Sequence, residues 1–327
     1  PCAPGWEGKT RPHLEEYGTA MPLITLENGR LKVEILPEVG ASVVSCAAQL
    51  GKAWVPIMRR TPREAMVEGD SSRMASYLLV PFSNRLRDAR FLFKGRTYQL
   101  RPNMPEGHAI HGDVRQRRWT ESAARADALT LTFDSRDFTD INFPFPFTAV
   151  VRYELAGEAF DSTLTLTNAG VEPMPAGLGF HPYFNRTLTA VGEAVELQAK
   201  VRGVYPELIP STPAGPLALD QDFSVSRALG DAVFDHCFAG WDGQAVIRWP
   251  GSGVLATLEC PLLTHLILYT PPGRSFFALE PVTHANNGFN LFAAGYPGMG
   301  VRVLESGEAM EARFRLKITM GKGSTVE

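Results

Sequence analysis

The sequence lacks the features that mark several large classes of protein. No apolar run approaches the roughly 18 residues that span a bilayer, and the polar, proline-containing N-terminus has no apolar core of a secretory signal. The 327 residues carry a formal net charge of −3, which gives no electrostatic case for nucleic acid or an anionic membrane. These absences favour a cytoplasmic protein with neither nucleic acid nor membrane as a partner.

Cysteine is also scarce, and no cofactor motif is visible. The four cysteines show no CxxC spacing and are too few for a disulfide scaffold in a chain of this length: Cys2, Cys46, Cys237 and Cys260. We therefore expect free thiols in a reducing compartment. The sequence has no glycine-rich phosphate loop, no nucleotide fingerprint and no G-x-S-x-G elbow.

Alternation of apolar and polar residues dominates what is present. It is clearest at residues 30–35, 129–134, 163–167 and 313–319, and it predicts strands with one buried and one wet face. Further strand candidates have a similar composition: 41–48, 147–155, 245–249, 255–260 and 266–270. No segment of twelve or more residues shows a helical stripe.

The 25 prolines and 30 glycines fall mostly between these candidates, where turns are expected. Many short strands separated by turns predict an all-β sandwich or barrel. We expect one domain over residues 21–327, preceded by a loosely attached segment at residues 1–20. The proline-containing stretch 208–219 is interpreted as a surface loop.

Polar residues that interrupt the strand-like sequence are candidates for a functional site. Arg85, next to Asn84, offers a fork of donors that suits hydroxyl and carboxylate oxygens, although a surface salt bridge is the plainer explanation for it alone. His108 and His111 have the spacing of a metal-binding pair. Because no Cys or carboxylate pattern follows them, structural histidines are the simpler interpretation.

His181 lies among Phe180, Tyr183 and Phe184. Such aromatic surroundings disfavour the charged form of an imidazole and bring it toward the range useful for acid–base chemistry. An aromatic core with one buried polar residue would give the same pattern. Composition alone leaves both interpretations open.

Glu280 ends an apolar strand just before Pro281, which we expect to stop the strand ladder. Its carboxylate lies either at a solvent-facing strand end or on the floor of a cleft. Asp235 is either an acceptor for substrate hydroxyls or an ordinary turn residue. An acid, a base, an arginine and an acceptor carboxylate together suit an uncharged, polyhydroxylated substrate.

In their order along the chain, these motifs resemble those of the aldose 1-epimerase (galactose mutarotase) family, over about residues 23–319. The His-Pro-Tyr-Phe-Asn string that begins at His181 is the most specific part. The remaining matches are Asn84, Arg85, His111, Gly112, Asp235, Phe238, Glu280 and Pro281. The resemblance implies a large antiparallel β-sandwich of the galactose mutarotase supersandwich type, with a sugar in an open cleft.

By position, the resemblance implies that Glu280 is the catalytic base and His181 the catalytic acid. The residues that it implies around the sugar are Arg85, Asn84, His111, Asp235, and Tyr183 or Phe184 at the pocket wall. The implied reaction interconverts the α and β anomers of a free hexose by opening and closing its ring. It needs no metal or other cofactor, and we expect a monomer or a homodimer.

Departures from the family pattern leave the sugar open. Asp113 follows Gly112 where many galactose mutarotases have a second glycine, and the segment after Pro281 differs from the commonest form. The basic run from Arg115 to Arg118 would suit a phosphorylated or sulfonated hexose, although solvated arginines are the plainer interpretation. A non-catalytic carbohydrate-binding protein on the same fold is a further alternative.

Overall fold

Antiparallel strands dominate the computed structural model, which describes residues 22–320. Within that range the only α-helices are α1 (Arg63–Glu68) and α2 (Gly288–Ala293), and neither is long and apolar enough to cross a membrane. The predicted all-β class is therefore confirmed. The predicted segment 1–20 lies outside the described residues, and the division into that segment and one domain stays a prediction.

The first four strands form one sheet, and the last strand belongs to the largest sheet. Strands are numbered in chain order. The four-stranded sheet has the spatial order β1 (Ile24–Glu27), β2 (Leu31–Leu36), β3 (Ser42–Leu50), β4 (Ala53–Pro56). The nine-stranded sheet has the order β10 (Thr120–Ala124), β11 (Ala128–Asp134), β12 (Phe147–Ala156), β13 (Ala159–Asn168), β26 (Ala309–Met320), β22 (Val254–Glu259), β21 (Gln244–Trp249), β17 (Glu196–Ala199), β19 (Arg227–Ala228).

A seven-stranded sheet carries the residues of most interest. Its order is β18 (Gly203–Val204), β20 (Asp235–Ala239), β23 (His265–Tyr269), β24 (Phe276–Val282), β15 (Gly179–Phe180), β5 (Leu78–Leu79), with β16 (Tyr183–Asn185) also beside β24. Three two-stranded ribbons complete the structure: β14 (Met174–Ala176) with β25 (Arg302–Leu304), β6 (Arg85–Leu86) with β9 (Ala109–Ile110), and β7 (Arg90–Phe93) with β8 (Arg96–Gln99).

The nine- and seven-stranded sheets pack face to face. Leu164 and Leu166 of β13 share one apolar core with Phe277 of β24, and all three are fully buried. The rings of Phe180 and Phe314 bridge the two sheets with centroids 5.3 Å apart. Each such side chain contributes roughly 1.5–3 kcal/mol by leaving water, so this interface holds the sandwich together.

The opposite face of the seven-stranded sheet forms a second, smaller apolar cluster. On β24, Phe277 and Leu279 belong to the main core, whereas Ala278 and Val282 belong to the second cluster. Side chains alternate between the two faces of a strand. Glu280 therefore lies on the same face as Ala278 and Val282, which we call the cleft face.

The predicted strands are present, and most of their ends are shifted by one or two residues; β13 and β26 begin four residues before the alternating segments at 163–167 and 313–319. The candidate at 41–48 is Ser42–Leu50, and the candidate at 255–260 is Val254–Glu259. The stretch 208–219 is a loop, as predicted, apart from an isolated bridge between Gly215 and Val204 and from Leu219, which begins a short 3₁₀ turn. Alternation thus located strands well, because each buries one face.

Pro281, however, does not stop its strand: β24 continues to Val282, and Pro281 pairs with Leu266. The reason lies in the neighbouring backbone. The amides of Leu279 and Thr283 donate to carbonyls on the β15–β16 side of β24. An amide at position 281 would point to the same side, where β15 and β16 are interrupted, so proline removes no ladder hydrogen bond there.

Candidate active site

Glu280 and His181 meet on the cleft face. Glu280 projects from β24, and His181 lies in the interruption between β15 and β16. The distance from His181 Nε2 to Glu280 Oε1 is 3.1 Å, and the two side chains are only 5% and 3% exposed. The solvent-facing strand end considered for Glu280 is wrong because its side chain is buried, and its placement on the floor of a sugar-binding cleft stays a prediction.

Burial governs the protonation of this pair. It raises the pKa of Glu280 well above the usual 4.5, with Asp235 adding to the effect and Arg85 opposing it. Burial also lowers the pKa of His181 well below 6.5, and the positive charge of Arg59 acts in the same direction. Both effects favour a carboxylic acid beside a neutral imidazole. Moving one proton across the 3.1 Å contact gives carboxylate and imidazolium at unchanged net charge, so the pair titrates as a unit.

The second carboxyl oxygen of Glu280, Oε2, is buried and has no hydrogen-bond partner among residues 22–320. Buried polar atoms are rarely left without a partner in folded proteins. An acceptor of this kind on a cleft floor suits a donor that a ligand brings, such as a hydroxyl group.

Two tyrosines pack against His181, and only Tyr183 is predicted from the sequence. The ring centroid of Tyr183 lies 4.6 Å from that of His181, and the centroid of Tyr77 lies 4.4 Å away in a stacked arrangement. Burial raises the pKa of Tyr183 to about 12 and raises the pKa of Tyr77 well above the usual 10, so both hydroxyls stay protonated. Phe184, the other candidate for the pocket wall, instead packs on Phe277 in the main core.

His111 stands edge-on to His181, with ring centroids 5.1 Å apart. Its Nδ1 accepts a hydrogen bond from the amide of Asn84 at 3.2 Å, and its own amide donates to the Asn84 carbonyl at 3.1 Å. Because Nδ1 is an acceptor, the neutral ring carries its proton on Nε2. Burial lowers the pKa of His111 well below 6.5, which keeps the ring in this neutral form.

Gly112 fixes the position of His111 by a close backbone approach. Its φ is +70°, and an added Cβ would lie 1.9 Å from the carbonyl oxygen of Val80. The next amide, of Asp113, donates to that same oxygen at 2.8 Å. Only glycine satisfies both the left-handed conformation and the contact.

Arg85 and Asp235 form an ion pair with 3.7 Å between Nη2 and Oδ2. The side-chain oxygen of Asn84 accepts from the Arg85 amide at 2.8 Å and from Nη1 at 3.3 Å, so Asn84 orients the arginine. Burial raises the pKa of Asp235, whereas Arg85 opposes the rise. The pair presents a donor fork and an acceptor carboxylate near Glu280.

Of the three arginines that follow His111, only Arg115 faces this site. Its guanidinium carbon lies 5.8 Å from the ring centroid of Tyr77. Arg118 is 70% exposed and pairs with Glu38. Arg117 is held by carboxylates at its own end of the loop, so the basic run does not act as one cluster.

Asp113, the departure from the family pattern, has a structural role. Its carboxylate accepts from Arg117 at 3.0 Å and from the backbone amides of Asn142 and Phe143. These contacts tie the loop after Gly112 to the segment before β12. The carboxylate therefore binds this loop and not the cleft.

His108 and His111 do not form a pair. Nδ1 of His108 accepts from the amide of Asp88 at 3.0 Å, whereas His111 is held by Asn84. No group of three His, Cys, Asp or Glu side chains within residues 22–320 is arranged to hold a metal ion. The expectation that no metal or cofactor is used stays a prediction. The described cysteines are free, as predicted, and they are also buried: Cys46, Cys237 and Cys260. Cys2 lies outside the described residues.

Comparison with known proteins points to one family. The family model for aldose 1-epimerase matches residues 22–317. The uncharacterized protein YphB of Escherichia coli (strain K12) is 28% identical over 280 residues, which cover 81% of this chain and 89% of that protein. The aldose 1-epimerase of the same strain is 28% identical over 186 residues, 53% of this chain and 50% of that protein.

A solved structure shows the same architecture. The galactose mutarotase-like protein from Clostridium acetobutylicum matches with a TM-score of 0.78 at 20% identity, over 91% of this chain and 95% of that chain. At this identity the likeness concerns the fold alone. It confirms the predicted galactose mutarotase-like β-sandwich.

Proposed function

Because the chain belongs to the aldose 1-epimerase family, we propose that it interconverts the α and β anomers of a free hexose. The observation that carries this proposal is the buried contact of 3.1 Å between His181 and Glu280, which places one transferable proton on the cleft floor. Mutarotation requires one proton to leave the C1 hydroxyl and another to reach the ring oxygen. A pair that shares a proton suits this exchange.

In the proposed reaction, Glu280 as carboxylate takes the proton of the C1 hydroxyl while His181 as imidazolium protonates the ring oxygen. The bond between C1 and the ring oxygen breaks, and an aldehyde forms at C1. After rotation about the C1–C2 bond, the same two transfers run in reverse and close the ring on the other face. No covalent intermediate with the protein forms.

The charged state of the Glu280–His181 pair belongs to the closed sugar, and the neutral state belongs to the open aldehyde. Ring opening leaves Glu280 protonated and His181 neutral, which is the state that burial favours. The closed sugar needs the charged state, and a hydroxyl that donates to the free Oε2 of Glu280 stabilises it. Substrate binding thus offsets the cost of separating charge before the ring opens.

Other residues of the site would position the sugar for the two proton transfers. Each placed acid or base contributes typically ~10²–10⁴-fold, which is roughly 3–5 kcal/mol of barrier height. Arg85, His111 and Asp235 would hold the sugar hydroxyls, with Asn84 orienting the arginine and Tyr183 forming the wall. Alignment of both transfers is then set by residues that exchange no proton.

Polarimetry or NMR exchange on freshly dissolved α-glucose and α-galactose tests the proposal. We expect Glu280→Gln, which keeps the shape of the side chain, to lose at least ~10²-fold in rate. Glu121→Gln, at an exposed position of β10, is the matched control and should retain the wild-type rate. Equal rates for wild type and Glu280→Gln would refute the assignment of the base.

Calorimetry distinguishes the proposed enzyme from a non-catalytic carbohydrate-binding protein. Sugar binding by the wild type without any acceleration of mutarotation would favour a carbohydrate-binding protein. A cytoplasmic location and a monomeric or homodimeric state belong to the proposal and are tested by fractionation and by light scattering.

A further inference from the structure

A groove of about 870 Å³ adjoins the candidate active site. It is lined by Arg59, Arg60, Arg73 and Arg274, and we call it the arginine groove. The described residues that line it include neither aspartate nor glutamate. Because the chain as a whole has a net charge of −3, this local excess of positive charge does not reflect a generally basic protein.

Most of this charge is not neutralised by the protein. Arg73 pairs with Glu68 at 3.2 Å. No carboxylate within residues 22–320 forms an ion pair with Arg59, Arg60 or Arg274. The other polar side chains of the lining are uncharged, for example Asn185, Thr187 and Ser275, so within the groove itself the only formal charges are positive.

Arg59 is the fixed part of the groove. It is only 9% exposed, and its Nε and Nη2 donate to the carbonyls of Met74 and Ser72 at 2.9 and 2.5 Å. Its guanidinium carbon lies 3.4 Å from the ring centroid of Tyr183 and 4.7 Å from that of Phe276. Burying a cation is costly. The backbone carbonyls and the charge of Asp70 offset part of this cost, and a negatively charged ligand in the groove would offset more.

The groove and the active site share a wall. Tyr183 lines the groove and also packs on His181, with 4.6 Å between ring centroids. Phe276 lines the groove and lies four residues before Glu280 on the same face of β24, about 13 Å away at ~3.3 Å per residue. The shorter connection runs through Tyr183, whose ring lies 3.4 Å from the Arg59 guanidinium carbon and 4.6 Å from the His181 ring. A charged group on a sugar held at His181 and Glu280 can therefore approach Arg59.

We propose that the arginine groove binds an oxyanion carried by the sugar, so that a hexose with a phosphate, sulfonate or carboxylate group is a better substrate than the unsubstituted hexose. This inference rests on the proposed function. The planar fork of arginine suits bidentate binding of such groups. Because mutarotation needs a free C1 hydroxyl, the charged group sits elsewhere on the sugar, and sugar 1-phosphates and nucleotide-linked sugars are excluded.

This site differs from the basic run noted in the sequence. Arg117 and Arg118 are engaged by Asp113 and Glu38, whereas Arg60 and Arg274 lie more than 150 residues apart in the chain and meet only in the folded groove. The charged hexoses considered from sequence are thus retained as substrates, but with a different set of arginines.

The test compares kcat/KM for glucose with that for glucose 6-phosphate, a 6-sulfonated glucose and glucuronic acid. We expect kcat/KM for at least one charged sugar to exceed that for glucose about tenfold or more. The charged sugar with the highest kcat/KM identifies the anion that the groove prefers. In the double variant Arg60→Gln/Arg274→Gln, the ratio of charged to neutral sugar should fall about tenfold for each lost contact, which corresponds to ~1.4 kcal/mol. Lys317→Gln, which removes an exposed charge on β26, should leave the ratio unchanged.

Several results would overturn the inference. One is a ratio at or below unity for all three charged sugars, and another is a ratio that the double variant does not alter. A third is an equal gain for the neutral disaccharides maltose and lactose that also depends on the two arginines, because the groove would then bind a second sugar ring.

The two proposals can fail separately. If the wild type accelerates no sugar, the proposed function fails, and calorimetric titration with inorganic phosphate and with sulfate decides on the groove. Binding to the wild type that is weakened in the double variant supports the anion site, and no binding to the wild type overturns it. Thermal melting followed by circular dichroism checks that the double variant folds.

Discussion

The backbone contact at Gly112 allows a sharp test of how the cleft is held. In Gly112→Ala, the new Cβ would lie 1.9 Å from the Val80 carbonyl oxygen, whereas ordinary contact begins at 3.4 Å. The two segments must separate by about 1.5 Å, and the hydrogen bond from the Asp113 amide to the same oxygen is lost. Gly107→Ala is the matched control: φ is +82° there, but nothing lies within 4 Å of the added Cβ.

Both variants place an alanine in a left-handed backbone conformation, but only Gly112→Ala also breaks a buried hydrogen bond. A left-handed alanine costs roughly 1–2 kcal/mol, partly offset by ~0.4–1 kcal/mol from a less flexible unfolded chain. Gly107→Ala should therefore destabilise the protein by about 1 kcal/mol. A broken, buried hydrogen bond adds ~1–3 kcal/mol, so we expect Gly112→Ala to cost about 2 kcal/mol more than Gly107→Ala.

Denaturant unfolding of both variants measures this difference, and the mutarotation rate of the folded fraction measures its effect on the site. A misplacement of ~1 Å near the reacting groups can cost ~10²-fold in rate. Because His111 directly precedes Gly112, only that variant should show such a loss. Equal free energies of unfolding for the two variants would mean that the close approach to Val80 does not constrain the fold, and the reasoning would be wrong.

Three further predictions concern protonation, binding and thiol reactivity. The rate should be highest while the pair holds one proton. Because burial lowers the pKa of His181, the rate should fall on the acid side only below pH 6.5. Because burial raises the pKa of Glu280, the fall on the alkaline side should lie well above pH 4.5. A pH–rate series in which the acid-side fall lies above pH 6.5 would contradict this. Arg85→Lys keeps the charge but loses the fork, so KM should rise about tenfold, the size of one charge-assisted hydrogen bond, and steady-state kinetics would show an unchanged KM if the fork is not used. Burial raises the pKa of Cys237 to about 12, so in a Cys2→Ser protein a thiol reagent should label no cysteine before denaturant unfolds the chain, and labelling of the native protein would show an opening that the structure does not have.

Alternation in the sequence predicted individual strands but not their partners. The alternating segments at 129–134 and 163–167 lie within β11 and β13, because a strand with one wet face requires that pattern. Alternation encodes which face is buried and carries no information on which strand lies alongside. The pairing of β13 with β26, in which Leu166 faces Met310, could not be deduced from it.

The sequence likewise predicted some residues of the candidate site and missed others. His181 and Glu280 were singled out because they interrupt apolar sequence, and the structure brings them into contact. Tyr77 gave no signal, because a tyrosine in an apolar segment has the pattern of any core residue. Arg59 was also missed, and Arg115 could not be told from Arg117 two residues later, because only the folded loop decides which one faces the cleft.

The place of β26 in the nine-stranded sheet has a consequence for synthesis of the chain. Among the strands of residues 22–320, β26 is the last in the sequence, yet it lies between β13 and β22. On the ribosome, both of those strands therefore expose unpaired edges until residues 309–320 emerge from the exit tunnel. Such edges invite pairing with other nascent chains. The core contact between Phe314 and Phe180, next to His181 in the chain, also cannot form before residues 309–320 leave the tunnel, so we expect the incomplete chain to be more prone to aggregation than the full one.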